Sequence, residues 1–140
     1  MDTIQCAVVL AKLEVFDREI EARIEAAERY ISLFEGNNAV AVPVIRTDRT
    51  SVWAQFTVQV EGRDSMVEAL RQEGIPTAVH YPVPLHRQPA YKDVCQICGH
   101  LSNAERLGGR VLSLPMHPYI SAETQEQIVA AISRAVRVRQ

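Results

Sequence analysis

Apolar side chains change their spacing just after Gly36. Before it, Ile20, Ile24, Ala27, Ile31 and Phe34 recur every three to four residues, the interval of one helix face. After it, Val52, Ala54, Phe56, Val58 and Val60 alternate with Trp53, Gln55, Thr57 and Gln59, the period of a half-buried strand. A chain that carries both periods has to bury a helical stripe against a sheet face.

The same reading extends along the chain. Residues 3–34 read as one kinked helix or two helices in series, with Asp17 as a candidate cap for the second part. Gly36, Asn37 and Asn38 stop it, because both residue types tolerate the left-handed C-terminal conformation. Residues 39–44 form a short apolar run and 51–60 a strand. Asp64 or Ser65 caps a helix ending near Gly74, with Met66, Val67, Ala69 and Leu70 inward, and residues 77–81 form another strand. Ser102 caps a helix to Gly108 and Gly109, and residues 110–114 form a last strand. Ser121 caps a final helix to about Arg139 with Ile128, Val129, Ile132 and Val136 inward. The predicted fold class is α+β: a small antiparallel or mixed sheet with helices packed on one face. The 140 residues suffice for one domain with its own core, here a helical segment at 1–36 followed by an α+β sandwich at 39–140.

Charge and cysteine content exclude several partners. The formal net charge is −2, which argues against electrostatically driven nucleic-acid binding. No apolar run approaches the ~20 residues that span a bilayer, and the first residues lack the basic and apolar regions of a secretory signal. Three cysteines do not make a disulfide framework, so a cytoplasmic protein with reduced thiols is expected.

The first sixteen residues are apolar on most sides, with Ile4, Val8, Leu10, Ala11, Leu13 and Val15 among them. Such a segment is too apolar to lie exposed on a monomer and predicts an interface, with self-association through this helix.

Candidate site residues gather in the irregular stretch 82–99, where Pro82, Pro84 and Pro89 fall within eight residues. A strand ending in His80, Tyr81 and Pro82 presents two polar rings where the chain leaves the sheet. Those rings suit hydrogen bonding to a sugar, or else they are a strand-end His and a packed Tyr. His86 and Gln88 follow on the same loop, as substrate-side or merely solvated groups. Cys95 and Cys98, with His100 nearby, have zinc-like spacing. One such knuckle without a second is a weak signal, and free thiols on a loop are the default reading. His117 carries no assignable chemistry and reads as packing.

Three stretches, in order and covering nearly the whole chain, carry a resemblance. Residues 2–13 resemble the helix that follows the Gly-x-Asn-x-Arg-Met/Leu-Asp signature of the DegT/DnrJ/EryC1/StrS aminotransferases. Residues 74–86, containing His80 and Tyr81, resemble that family's small-domain strand and loop. Residues 112–118, Leu-Ser-Leu-Pro-Met-His-Pro, resemble its late segment. The resemblance is greatest to members that aminate 3-keto nucleotide sugars for surface polysaccharides. It implies the C-terminal domain of an enzyme dependent on pyridoxal phosphate, with His80 and Tyr81 facing the nucleotide-sugar substrate and the first helix packed on a large domain or a partner subunit.

The departures from the family pattern are equally informative. A pyridoxal phosphate enzyme holds the cofactor through a lysine and pairs its ring nitrogen with an acid. The only lysines are Lys12 and Lys92, neither in the family's cofactor-lysine context, and there is no glycine-rich phosphate cradle. The chain starts where the signature would be, which suggests a truncated frame or one part of a split enzyme, with no cofactor bound to this chain alone and no transamination by it alone. The alternatives are a non-catalytic binding or oligomerisation module that keeps the small-domain fold, and a small metal-binding protein built on Cys95 and Cys98.

Overall fold

The computed structural model describes residues 2–91, 93–94 and 96–137. Two helices in series open the chain, α1 (Thr3–Leu13) and α2 (Phe16–Leu33). Asp2 caps α1, its carboxylate accepting from the Gln5 N–H at 2.8 Å. The expected cap at Asp17 is not formed. α2 begins at Phe16 after Val15 with no side-chain cap, and Asp17 and Glu19 lie in its first turn, where negative charge favours the helix dipole.

Three strands follow with the remaining helices: β1 (Val40–Ala41), β2 (Phe56–Val60), α3 (Arg63–Gln72), α4 (Ser102–Gly108), β3 (Val111–Leu114) and α5 (Ala122–Arg137). The sheet runs β1-β2-β3 and is antiparallel throughout. Val40 pairs with Val60, and Val58 with Leu112. The α+β architecture is the one the two periods demand. Phe56, Val58 and Val60 alternate inward as read from the sequence. They meet Tyr30 of α2, Met66 and Leu70 of α3, and Ile128 and Ile132 of α5 in one buried core.

One expected strand is shorter than its sequence suggests and another does not form. The 51–60 run becomes β2 only from Phe56. Trp53, expected on the polar face, turns inward with 8% exposure and adopts φ 48°. An L-residue spends about 1–2 kcal/mol in the left-handed region. The indole is held there by its tilted contact with Phe56, centroids 5.6 Å apart, and the Trp53 carbonyl accepts from Arg23 Nη1 at 3.2 Å. Residues 77–81 do not form a strand either. Ala78 alone bridges to Ser113, with its N–H donating to the Ser113 carbonyl at 3.1 Å and its carbonyl accepting from the Ser113 N–H at 2.7 Å.

Of the remaining expected caps, only the one at Ser121 forms. α3 starts at Arg63 behind Gly62, without a side-chain cap from Asp64 or Ser65. α4 starts at Ser102 itself, so Ser102 does not cap it. Ser121 does cap α5, its Oγ accepting from the Thr124 N–H at 3.1 Å.

α1 stands apart from this packing. None of its residues is buried, and Ile4, Val8, Leu10 and Leu13 are 79%, 52%, 66% and 56% exposed. No helix of the described residues is long and apolar enough to cross a membrane.

Candidate functional site

The proline-rich segment and α4 form the two walls of a cleft of about 600 Å3. His80, Tyr81, His86 and Gln88 supply polar groups from the loop wall, and Leu101, Leu107 and Val111 supply apolar surface opposite. His80 also borders a second cavity of about 280 Å3, with Gln55, Thr77 and Met116. The structure therefore brings together all four loop residues singled out in the sequence.

Their environments differ. His80 and Tyr81, joined by a cis peptide bond, are both exposed. Their rings meet edge to face with centroids 5.6 Å apart. Exposed, adjacent polar rings at a cleft mouth keep their hydrogen-bonding capacity for a ligand. His86 instead points inward, its side chain only 10% exposed, with Nε2 3.2 Å from Glu105 Oε1. Arg87 donates to the same oxygen through Nε at 3.0 Å and Nη2 at 2.6 Å. These bonds, Arg87's first and His86's second, hold the Glu105 carboxyl below the ordinary carboxylate range. A carboxylate that accepts several donors resists protonation.

Glu105 and Gly108 escaped the sequence reading. Gly108 was read as a helix stop, yet it is buried against the loop. A Cβ placed on it would lie 3.0 Å from the Pro82 carbonyl oxygen and 3.2 Å from Pro84 Cδ. The signal in the sequence was the basic pair His86 and Arg87, which calls for a carboxylate somewhere.

His117 is exposed, and its Nδ1 accepts from the Tyr119 N–H at 3.3 Å, so it shapes a turn rather than packing in the core. Of the C-x-x-C pair, Cys98 is exposed, while Cys95, like Lys92, lies outside the described residues. Among the described residues no cluster of three or more His, Cys, Asp or Glu side chains is placed to hold a metal ion.

The described residues do not fit pyridoxal phosphate as its anchoring site. Lys12 sits on the exposed α1, and among the described residues no lysine lines the cleft. An amine positioned to condense with the cofactor aldehyde is the first requirement of such a site.

The chain belongs to the DegT/DnrJ/EryC1/StrS aminotransferase family, whose sequence profile matches residues 1–133. It is 39% identical over 133 residues to the UDP-2-acetamido-2-deoxy-3-oxo-D-glucuronate aminotransferase of Pseudomonas aeruginosa, a match covering 95% of this chain and 36% of that protein. Among solved structures it resembles a DegT DnrJ EryC1 StrS aminotransferase from Brucella abortus, with a TM-score of 0.88 and 42% identity over 96% of this chain and 35% of that one. It also resembles DesV of S. venezuelae, solved in complex with a ketimine intermediate, with a TM-score of 0.89 and 34% identity over 96% of this chain and 37% of that one. The chain thus spans about a third of the length of the relatives it matches.

Proposed function

We propose that this chain is the C-terminal, substrate-side part of a nucleotide-sugar aminotransferase, active when joined to the two thirds of the enzyme that it does not span. The observation that carries this reading is the cleft around His80 and Tyr81, in a chain whose relatives include a UDP-keto-sugar aminotransferase. His80 and Tyr81 hydrogen-bond the nucleotide sugar and fix the keto carbon for attack. Orientation of this kind contributes several kcal/mol of barrier lowering. Gln88 offers a further amide donor and acceptor, and the apolar wall at Leu101 and Leu107 limits water around the bound sugar. Pyridoxal phosphate, carried by the remainder of the enzyme, supplies the amine-transfer chemistry. The exposed apolar side of α1 receives that remainder or a second copy of this chain.

Complementation tests the reading. The Pseudomonas aeruginosa relative, stripped of the third that this chain matches, is co-expressed with this chain and assayed for glutamate-dependent amination of a UDP-3-keto sugar. Activity that depends on this chain and falls at least tenfold in H80A or Y81F supports the proposal. A co-purified complex without activity, or full activity in both variants, contradicts it.

A further inference from the structure

The segment that carries His80 and Tyr81 is suspended between two anchors. Upstream, Ala78 and Ser113 exchange both backbone hydrogen bonds, tying the segment to β3. Downstream, residues 82–88 rest on α4. Glu105 and Gly108 are three residues apart on α4 and share one helix face. Glu105 draws in Arg87 and His86, and Gly108 lets Pro82 and Pro84 approach within 3.0–3.2 Å of where a Cβ would stand, tighter than most side chains tolerate. The amides of Arg87 and Gln88 close a tight turn within the docked segment, donating to the Pro84 and Leu85 carbonyls at 2.8 and 3.1 Å. α4 passes directly into β3, and the Arg110 N–H donates to the Leu107 carbonyl at 2.9 Å at the join. Both anchors therefore belong to one continuous stretch of chain, 102–114.

From this geometry we infer that Glu105 and Gly108 are positioning residues for the substrate cleft: they seat the proline-rich segment on α4 and so fix the orientation of the His80 and Tyr81 rings. Neither touches the sugar in this scheme. Glu105 acts through Arg87 and His86, and Gly108 acts by lacking a side chain. The inference rests on the substrate-side reading of His80 and Tyr81, but the arrangement it describes can be measured without any substrate.

Amide hydrogen exchange and ring NMR signals of the 140-residue chain provide the test, at pH 8. In E105Q and in G108V, exchange at Arg87 and Gln88 is expected to speed up at least tenfold, and the His80–Tyr81 ring NOE to weaken. Amides of β2 and β3 keep their protection. The swap R87E/E105R restores slow exchange, which a residue needed only for fold stability would not allow. Exchange at Arg87 and Gln88 within twofold of wild type in both single variants overturns the inference. So does parallel loss of protection in β2 and β3, which would make the effect one of global stability. UDP-N-acetylglucosamine is then titrated in as a probe. If the variants free the loop but the probe leaves His80 and Tyr81 signals of the wild type unmoved, the positioning stands and the substrate reading fails. If the probe moves those signals equally in wild type and variants, the substrate reading stands and the positioning role is wrong.

Discussion

Gln125 of α5 reaches across to α2 and donates through Nε2 to the carbonyl oxygen of Ala26 at 2.8 Å. Its Oε1 accepts from Arg29 Nη1 at 2.5 Å. The side chain is fully buried, so both ends of the amide are satisfied inside the interface between two helices. Buried polar groups persist where all their hydrogen bonds are made.

Replacing Gln125 with Leu keeps much of the volume and removes both bonds. The Arg29 guanidinium loses its partner at the edge of the core. A loss of about 1–3 kcal/mol in unfolding free energy is expected, the range for removing one partner of a buried hydrogen bond. Urea denaturation of wild type and Q125L reads this directly, and an unchanged midpoint would show that the amide contributes nothing net.

Tyr30 sets an alkaline limit on stability. It is fully buried, stacks on Phe56 with centroids 4.8 Å apart, and donates its hydroxyl to the Pro115 carbonyl at 3.0 Å. Burial pushes its phenol well above the ordinary value of 10.0. Above that value the unfolded chain releases this proton while the folded chain keeps it, so the folded state binds more protons and stability falls as pH rises. Below it the contribution is fully present. Unfolding midpoints between pH 8 and 11 should drop more steeply for wild type than for Y30F. Parallel slopes would remove Tyr30 as the cause.

The Glu105 contact has the opposite sign. Arg87 and then His86 lower its carboxyl from the ordinary 4.5, so its contribution to loop docking is complete above that value. The contribution disappears as pH falls through the depressed one. Protection factors at Arg87 and Gln88, which correct for intrinsic exchange, should decline below pH 4.5 in the wild type. In E105Q they should already be low and flat. A wild-type profile that stays level to pH 2 would exclude the carboxylate as the clasp.

α1 predicts concentration-dependent association. Leu10 is 66% exposed on a helix that buries none of its residues. L10E should lower the weight-average mass in sedimentation equilibrium at a given concentration. It should leave the unfolding free energy within roughly 0.5 kcal/mol of wild type, as for an exposed surface site. An unchanged mass would mean that this face does not associate.

Period carried most of the architecture. The inward set Phe56, Val58 and Val60 and the stripe through Ile128 and Ile132 could be read because burial on one face imposes a repeat on the sequence. Trp53 broke the alternation for a reason no repeat encodes: a left-handed backbone turns its indole inward. Residues 77–81 have strand composition, but only Ala78 finds a partner, at Ser113. His80 and Tyr81 were legible through a family resemblance, His86 and Gln88 by sharing their loop. The contact between Glu105 and the pair His86 and Arg87 joins residues 18 and 19 positions apart, and a sequence pattern records no such meeting. Gly108 was visible as a glycine, but its reason, the approach of Pro82, was not.

Trp53 is the only indole in the chain, and it packs in a tilted contact against Phe56 rather than lining the cleft. Its emission should therefore be blue in the native protein and shift red only when the α2–β2 core opens. That makes it an intrinsic optical gauge of the core alone. Fluorescence that holds steady while the 82–88 amides exchange freely would separate local release of the loop from loss of the fold, without any added label.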